Sequence, residues 1–273
     1  MIVDQDRIEG GPLPREVWER IGSGRARLLM LDYDGTLAPF RPQRMLARPP
    51  EASVRALQAI AREPGTRVAV ISGRPVAELQ TLLDRMPIHL VGEHGWEESA
   101  PDGALLLHPL AGATASRLSL AARAARSSGW SDLLERKRGS IVLHTRGLDR
   151  EEAQLIEERC RELWTALVEI DGLRVTSIDG GLELRAVERN KGVALRDLLR
   201  SGPEGTVAVY LGDDHSDEDA FEAMPEDGVS IRVGAPDRPT AARWGLPSPG
   251  AVTDFLERWR ALGLSGAGMV ERA

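Results

Sequence analysis

Cysteine is almost absent from this chain of 273 residues: Cys160 stands alone, which rules out an internal disulfide. Its place in a helical pattern marks a buried structural thiol ahead of a nucleophile. No apolar run reaches the length that crosses a bilayer. The acidic opening residues lack the basic and apolar regions of a signal peptide, so a cytoplasmic address and no membrane partner are expected. Net positive charge is lacking as well. A formal charge of −7 and a pI near 5.4 set bulk electrostatics against nucleic-acid binding. An anionic ligand therefore needs a local positive site. Lysine is scarce too: of 35 basic residues only Lys137 and Lys191 are lysine, and Asn190 is the only asparagine. A chain that uses arginine elsewhere has kept the compact ammonium at two places, a point charge that the planar arginine fork does not reproduce at a cramped site.

What is present suits an ordered chain of one large domain or two modest ones, since 42% of the residues are hydrophobic and 28% charged. Residues 13–21 read as a short helix, followed by a strand over 26–31, a helix over 51–62, a strand over 66–71, a helix over 75–84 and a strand over 89–91. This alternation predicts a parallel sheet with crossover helices. Between about 98 and 186 the pattern changes to helices over 113–126 and 150–167 with paired strands around Arg138-Gly139 and Asp179-Gly180. The second pair is a two-residue hairpin signal, and the whole reads as an inserted α+β unit. The parallel pattern resumes with a helix over 191–200, a strand over 206–211, a helix over 217–223, a strand over 229–233 and a helix over 251–261, with 263–273 as a loose tail.

Four stretches carry chemistry. The apolar run Leu28 to Leu31 ends in Asp32-Tyr33-Asp34-Gly35-Thr36. Open α/β sheets place ligands at the C-terminal ends of such buried strands, so two carboxylates reach one edge. One can attack covalently while the other handles a proton. The Gly-Thr break bends the chain before Asp34 completes the same-facing geometry of a strand; an Asp-Gly turn is the plain alternative. Ser72-Gly73-Arg74 ends a second strand just before a helix, where a hydroxyl and free amides suit a phosphate oxygen. An N-capped helix explains that stretch equally, and Arg74 reads as a substrate ligand or a solvated charge. Lys191 opens a helix, where the positive dipole end disfavours it unless an anion is present. Finally, Gly212 leads from an apolar strand into five acids between Asp213 and Asp219. Such a cluster repels itself unless a cation binds, and hard oxygen ligands suit Mg2+; Glu218 and Asp219 read as first-turn acids of the next helix.

In this order the four stretches resemble the motifs of the haloacid dehalogenase superfamily. Over residues 27–257 the chain is similar to its trehalose-6-phosphate phosphatases, matching at 31–37, Gly92-Glu93-His94-Gly95, Glu135-Arg136-Lys137, 140–146, Glu183-Leu184-Arg185 and Asn190-Lys191-Gly192. Ser216 stands where the family usually has threonine, which keeps a hydroxyl. The resemblance implies an α/β fold: a Rossmann-like core with a parallel sheet over 1–97 and 187–273, and an inserted α/β cap of C2 type over 98–186. It implies Asp32 as the nucleophile, Asp34 as the acid for the leaving sugar oxygen and then the base for water, and Lys191 with Ser72 on the phosphoryl oxygens. Thr36, Gly73, Arg74 and His94 would line the substrate. Asp32, the Asp34 carbonyl and Asp213 would surround Mg2+, with Asp214 and Asp217 holding metal-bound water or orienting Lys191. Glu135, Lys137 and Glu183 would contact sugar hydroxyls, while His144 and Arg146 would contact the sugar or support their hairpin. The implied activity is hydrolysis of trehalose 6-phosphate, a small-molecule sugar phosphate made by a trehalose-6-phosphate synthase. Another phosphorylated sugar, a phosphomutase and a non-catalytic sensor stay open; the intact pair Asp32 and Asp34 speaks against the sensor.

Overall fold

The computed structural model describes residues 11–168, 172–178, 180–235 and 237–270, with side chains described as far as 262. Asp179 of the expected hairpin lies outside the described residues. In chain order the elements are α1 (Arg15–Ser23), β1 (Arg27–Leu31), α2 (Glu51–Ile60), β2 (Thr66–Ile71), α3 (Val76–Leu82), β3 (His89–Gly92), β4 (Glu97–Ser99) and β5 (Leu105–Leu107). Then follow α4 (Gly112–Ser127), β6 (Leu134–Arg136), β7 (Ser140–His144), α5 (Arg150–Val168), β8 (Leu173–Ile178) and β9 (Gly181–Ala186). The chain closes with α6 (Lys191–Arg200), β10 (Val207–Gly212), α7 (His215–Ala223), β11 (Val229–Val233), β12 (Trp244–Leu246) and α8 (Pro249–Val270). They form two compact units, Met1–Leu107 with Asn190–Ala273, and His108–Arg189. Among the described residues no helix is long and apolar enough to cross a membrane.

The first unit is built on an eight-stranded sheet in the order β12-β11-β10-β1-β2-β3-β4-β5. From β12 to β3 all neighbours are parallel. Alternation along β1 explains why it sits in the centre: Leu29 and Leu31 join the core on one face with residues of α1, α2, α3 and α8, while Leu28 and Met30 join the core under α6 and α7. All four are fully buried, and each contributes roughly 1.5–3 kcal/mol relative to exposure. From β1 the chain winds to β2 and β3 on one side and, after the insertion, to β10 and β11 on the other. The strand order therefore reverses between β1 and β10, and the C-terminal ends of these two strands flank the crevice where open α/β sheets bind ligands.

Two expectations are corrected, and one strand is added. The insertion does not begin at 98, because β4 and β5 continue the core sheet as antiparallel strands; the second unit starts at His108 and ends at Arg189. Residues 263–270 are not a loose tail, since α8 runs to Val270. The short strand β12, parallel to β11, had no sequence signal beyond three residues of mixed character.

The second unit pairs α4 and α5 with a four-stranded sheet in the order β6-β7-β9-β8, antiparallel throughout. Ile141, Leu143, Leu182 and Leu184 are fully buried. The residues between them in β7 and β9 face the other way. Cys160 is buried in α5, and burial pushes its thiol up to about 12, which suits the structural role expected of it.

Candidate active site

Asp32 follows β1 directly, and its backbone N–H continues the ladder to Leu211 O at 2.8 Å. From the other side of the strand reversal comes Lys191, the first residue of α6. Asn190 caps that helix, its side chain accepting from Val193 N at 2.9 Å. The lone asparagine thus fixes the helix start that carries the buried lysine. Lys191 Nζ donates to Asp32 Oδ1 at 2.6 Å and to Asp217 Oδ1 at 2.8 Å, and its side chain is 2% exposed. Burial opposes its charge, but Asp217 and Asp32 overcome that cost and hold its pKa above the ordinary value. The anion that the helix dipole called for is a pair of carboxylates.

Asp217 is saturated. Its Oδ1 accepts from Lys191 and from the Tyr210 hydroxyl, and its Oδ2 accepts the backbone amides of Asp213 at 3.0 Å and Asp214 at 2.9 Å. One carboxylate thereby ties α6, β10 and the acidic loop together. Carboxylate oxygens of Asp32, Asp213 and Asp217 lie within 4.8 Å of one another. Burial raises the Asp32 carboxyl well above the ordinary range; Lys191 pulls it back, and Asp217 and Asp213 push it up. For Asp213 burial and then Asp217 raise it to about 6, against Lys191. Crowded carboxylates facing one ammonium fit a divalent cation, whose hard charge suits oxygen donors. With Asp217 already accepting four donors, the capacity to hold that cation lies with Asp32 and Asp213. Thr36, fully buried, donates its hydroxyl to Asp213 Oδ1 at 3.0 Å. Gly35 sits between: at φ +81° it takes a conformation that L side chains avoid, and a Cβ there would collide with the Asp213 carboxylate. Asp214 spends its side chain on the first turn of α7, accepting from His215 N at 2.6 Å in a capping box with Asp217.

Asp34 points elsewhere. Arg74 grips it through two bonds of 2.6 Å, Nε to Oδ2 and Nη2 to Oδ1, a bidentate fork that occupies both oxygens. Arg74 is 5% exposed, lies 5.3 Å from the centroid of the Tyr33 ring and also contacts Glu78 at 3.3 Å, so the solvated reading of this arginine fails. Its backbone N–H donates to Ser72 Oγ at 3.2 Å. The two loops after β2 and β3 interlock: Glu93 N donates to Arg74 O and His94 N to Ser72 O, both at 2.9 Å. The His94 ring overlies Gly73, where a Cβ would come 2.6 Å from Nε2. His94 and Glu93 both have positive φ, 57° and 48°, a strained pair held by these bonds.

In the second unit three of the sequence candidates, Glu135, His144 and Glu183, share one face. Glu135 is paired with Val142 and Val142 with Glu183, so these stand in one row across β6, β7 and β9, with Ser140 and His144 on the same side of β7. His144 Nε2 and Glu135 Oε2 are 2.8 Å apart, and Ser140 donates to Glu183 Oε1 at 2.7 Å. Lys137 lies in the β6–β7 turn, its N–H on Ser140 O at 3.0 Å, and Arg146 lies against Gly180 of the neighbouring hairpin.

Residues 30–249 match the trehalose-phosphatase family model. The chain belongs to the trehalose-phosphatase family. A trehalose-phosphate phosphatase of Mycobacterium marinum is 35% identical over 241 residues, a match that covers 84% of this chain and 60% of that protein, so the chain spans less than two thirds of its relative's length. Among solved structures, the C-terminal domain of a Candida albicans trehalose-6-phosphate phosphatase superposes with a TM-score of 0.80 at 21% identity, covering 94% of this chain and 99% of that one. A haloacid dehalogenase-like hydrolase from Bacteroides thetaiotaomicron gives a TM-score of 0.59 at 16% identity over 85% of this chain and 99% of that one. These likenesses establish the haloacid dehalogenase fold with its cap.

Two contributors were not legible in this trehalose-phosphatase family sequence. Tyr210 is a strand residue whose hydroxyl emerges beside Asp217. Arg238, from an irregular segment after β11, donates to Asp213 O and to Glu218 Oε1, both at 2.6 Å, while Glu218 Oε2 accepts from Thr240 and Ala241. Glu218 is thus more than a first-turn acid: it anchors the arginine that fixes the acidic loop. Arg238→Met should weaken cation affinity by about 10- to 100-fold, the usual cost of losing a group that orients a ligand. Calorimetric titration of Mg2+ without substrate measures this; an unchanged affinity would reduce the pair to a surface contact.

Proposed function

We propose that this chain hydrolyses trehalose 6-phosphate to trehalose and phosphate with Mg2+ as cofactor. The observation that carries the reading is Asp32 at the end of β1, held by Lys191 beside Asp213 at the strand-order reversal, in a chain of the trehalose-phosphatase family. In this reading an oxygen of Asp32 attacks phosphorus as the bond to the sugar oxygen breaks, leaving the phosphoryl group on Asp32. The leaving oxygen takes a proton from Asp34. Water then gives a proton back to Asp34 and attacks the aspartyl-phosphate, releasing phosphate and restoring the carboxylate. Lys191 and Ser72 neutralise and orient the phosphoryl oxygens, while Arg74 releases Asp34 for its proton work. Asp32, Asp213 and the Asp34 carbonyl would hold Mg2+, with Asp214 and Asp217 supporting; the ion would offset the negative charge of the phosphate. A trehalose-6-phosphate synthase supplies the substrate in this scheme, and the reaction belongs to the cytoplasm.

Release of inorganic phosphate from a panel of phosphorylated disaccharides, with and without chelator, tests the reading. Trehalose 6-phosphate is expected to lead the panel and chelation to silence the enzyme. Preference for sucrose phosphate or glucosylglycerol phosphate would move the substrate but keep the chemistry, and return of the phosphoryl group to a sugar would make it a mutase. The second unit contributes the sugar grip in this scheme through Glu135, Lys137, His144, Arg146 and Glu183. Lys137→Ala and Glu183→Ala should therefore lose most of kcat/KM for trehalose 6-phosphate yet keep turnover of a small aryl phosphate. Equal losses on both substrates would show that these residues only maintain the fold.

A further inference from the structure

Phe40 is one of three phenylalanines in the chain and, at 68%, the most exposed large apolar side chain among the described residues. A lone exposed apolar side chain is ordinary; the fixed setting of this one is not. The turn that delivers it is buried and tightly bonded: Leu37 and Ala38 are 2% and 0% exposed, their amides donate to Tyr33 O at 3.0 and 2.8 Å, and Gly35 N donates to Ala38 O at 2.8 Å. Beyond Phe40 the loop is clamped again, by Arg44 to Glu78 at 2.9 Å and by the Tyr33 hydroxyl to Ala47 O at 2.7 Å. Its intervening apolar residues Met45 and Leu46 are exposed as well. The Phe40 ring returns over the catalytic loop, since a Cβ on Gly35 would lie 2.7 Å from Phe40 Cε2 while colliding with the Asp213 carboxylate. An aromatic ring therefore stands at the rim of the acidic cluster, open to solvent, on a loop whose backbone is bonded on either side of it.

We propose that Phe40 is a specificity-determining residue on which the hexose ring bearing the phosphate stacks; this rests on the sugar-phosphate reading above. A pyranose has hydroxyls around its edge but a face of C–H bonds, slightly positive, which complements the negative face of an aromatic ring. A 6-phosphate leaves only one oxygen and one methylene between phosphorus and the sugar ring, so a phosphoryl group at Asp32 brings that ring to the rim where Phe40 waits. Preorganisation matters because a loop already bonded at both ends loses less freedom when the ligand arrives.

The test compares Phe40→Ala and Phe40→Trp with the parent protein on trehalose 6-phosphate and on acetyl phosphate, which has no sugar. Phe40→Ala should raise KM for trehalose 6-phosphate by about fivefold to tenfold, the scale of one aromatic contact, with kcat held within about twofold. Phe40→Trp should keep the parent KM or lower it, and neither variant should change acetyl phosphate kinetics. An unchanged KM in Phe40→Ala, with the parent active on trehalose 6-phosphate, overturns the platform alone. Equal losses on both substrates also overturn it, by making Phe40 a support of the catalytic loop. A parent that releases phosphate from acetyl phosphate but from no phosphorylated sugar overturns the sugar-phosphate reading and the platform with it.

Discussion

Asp32→Asn is expected to be inert while remaining folded. The amide keeps the shape of the side chain but is a poor nucleophile, so phosphate release should fall by roughly a thousandfold or more. The surroundings make this a clean substitution. Asp32 stands among Asp213 and Asp217 with Lys191 as its counter-charge, and Lys191 keeps Asp217 after the change. Removing one of several crowded buried negative charges relieves repulsion, so the thermal midpoint of the variant without added metal should equal or exceed that of the parent. Stopped assays of phosphate release and thermal melts measure the two halves. Activity above a few per cent of the parent in a preparation free of parent enzyme would exclude Asp32 as the attacking group.

Lys191→Met should lose on both counts. A preorganised donor to the phosphoryl oxygens is worth roughly 3–4 kcal/mol, or about 100- to 1000-fold in rate. The same ammonium neutralises Asp32 and Asp217 in a site that is almost sealed, and breaking a buried pair of this kind costs about 3–5 kcal/mol of stability because the carboxylates are left uncompensated. Rates are therefore compared well below the lowered melting temperature, per mole of folded protein. Lys191→Arg should rescue little, because both bonds, at 2.6 and 2.8 Å, converge on one nitrogen, whereas the fork is planar and wider. Near-parent kinetics in Lys191→Met would return this lysine to a purely structural part.

The strands and helices that build this site were readable because their signals are local. Residues 66–71, 191–200 and 229–233 coincide with β2, α6 and β11, where β-branched runs, a cap and a following break mark the ends. Lys191 was readable from charge alone, as a cation at the wrong end of a helix dipole. What escaped the sequence depends on partners distant in the chain. The strands β4 and β5 are short, and the three leucines of β5 remain exposed, so their membership of the core sheet follows from β4 pairing with β3 and β5 with β4 and not from their own pattern. Arg74 is marked by its place after Ser72-Gly73, but its partner Asp34 is not; Arg238 is one among many arginines, and nothing adjacent shows that it bridges the Asp213 carbonyl and Glu218. Asp217 lies between: an orienting part toward Lys191 was one of the two expected of it, whereas the further bonds from Tyr210 and from the Asp213 and Asp214 amides, which make it the joint between three elements, were not legible.

In the proposed reaction, the clasp of Arg74 on Asp34 divides inhibitors into two kinds. A compound that imitates pentacoordinate phosphorus needs Asp34, the carboxylate proposed to handle the proton, for its apical oxygen and must first prise it from a bidentate arginine, so part of its intrinsic affinity goes into opening the clasp. A compound that settles against the closed pair meets no such toll and need not carry a phosphate mimic at all. Its selectivity would come from the clasp itself, and proteins whose corresponding aspartate is not held by an arginine would be spared.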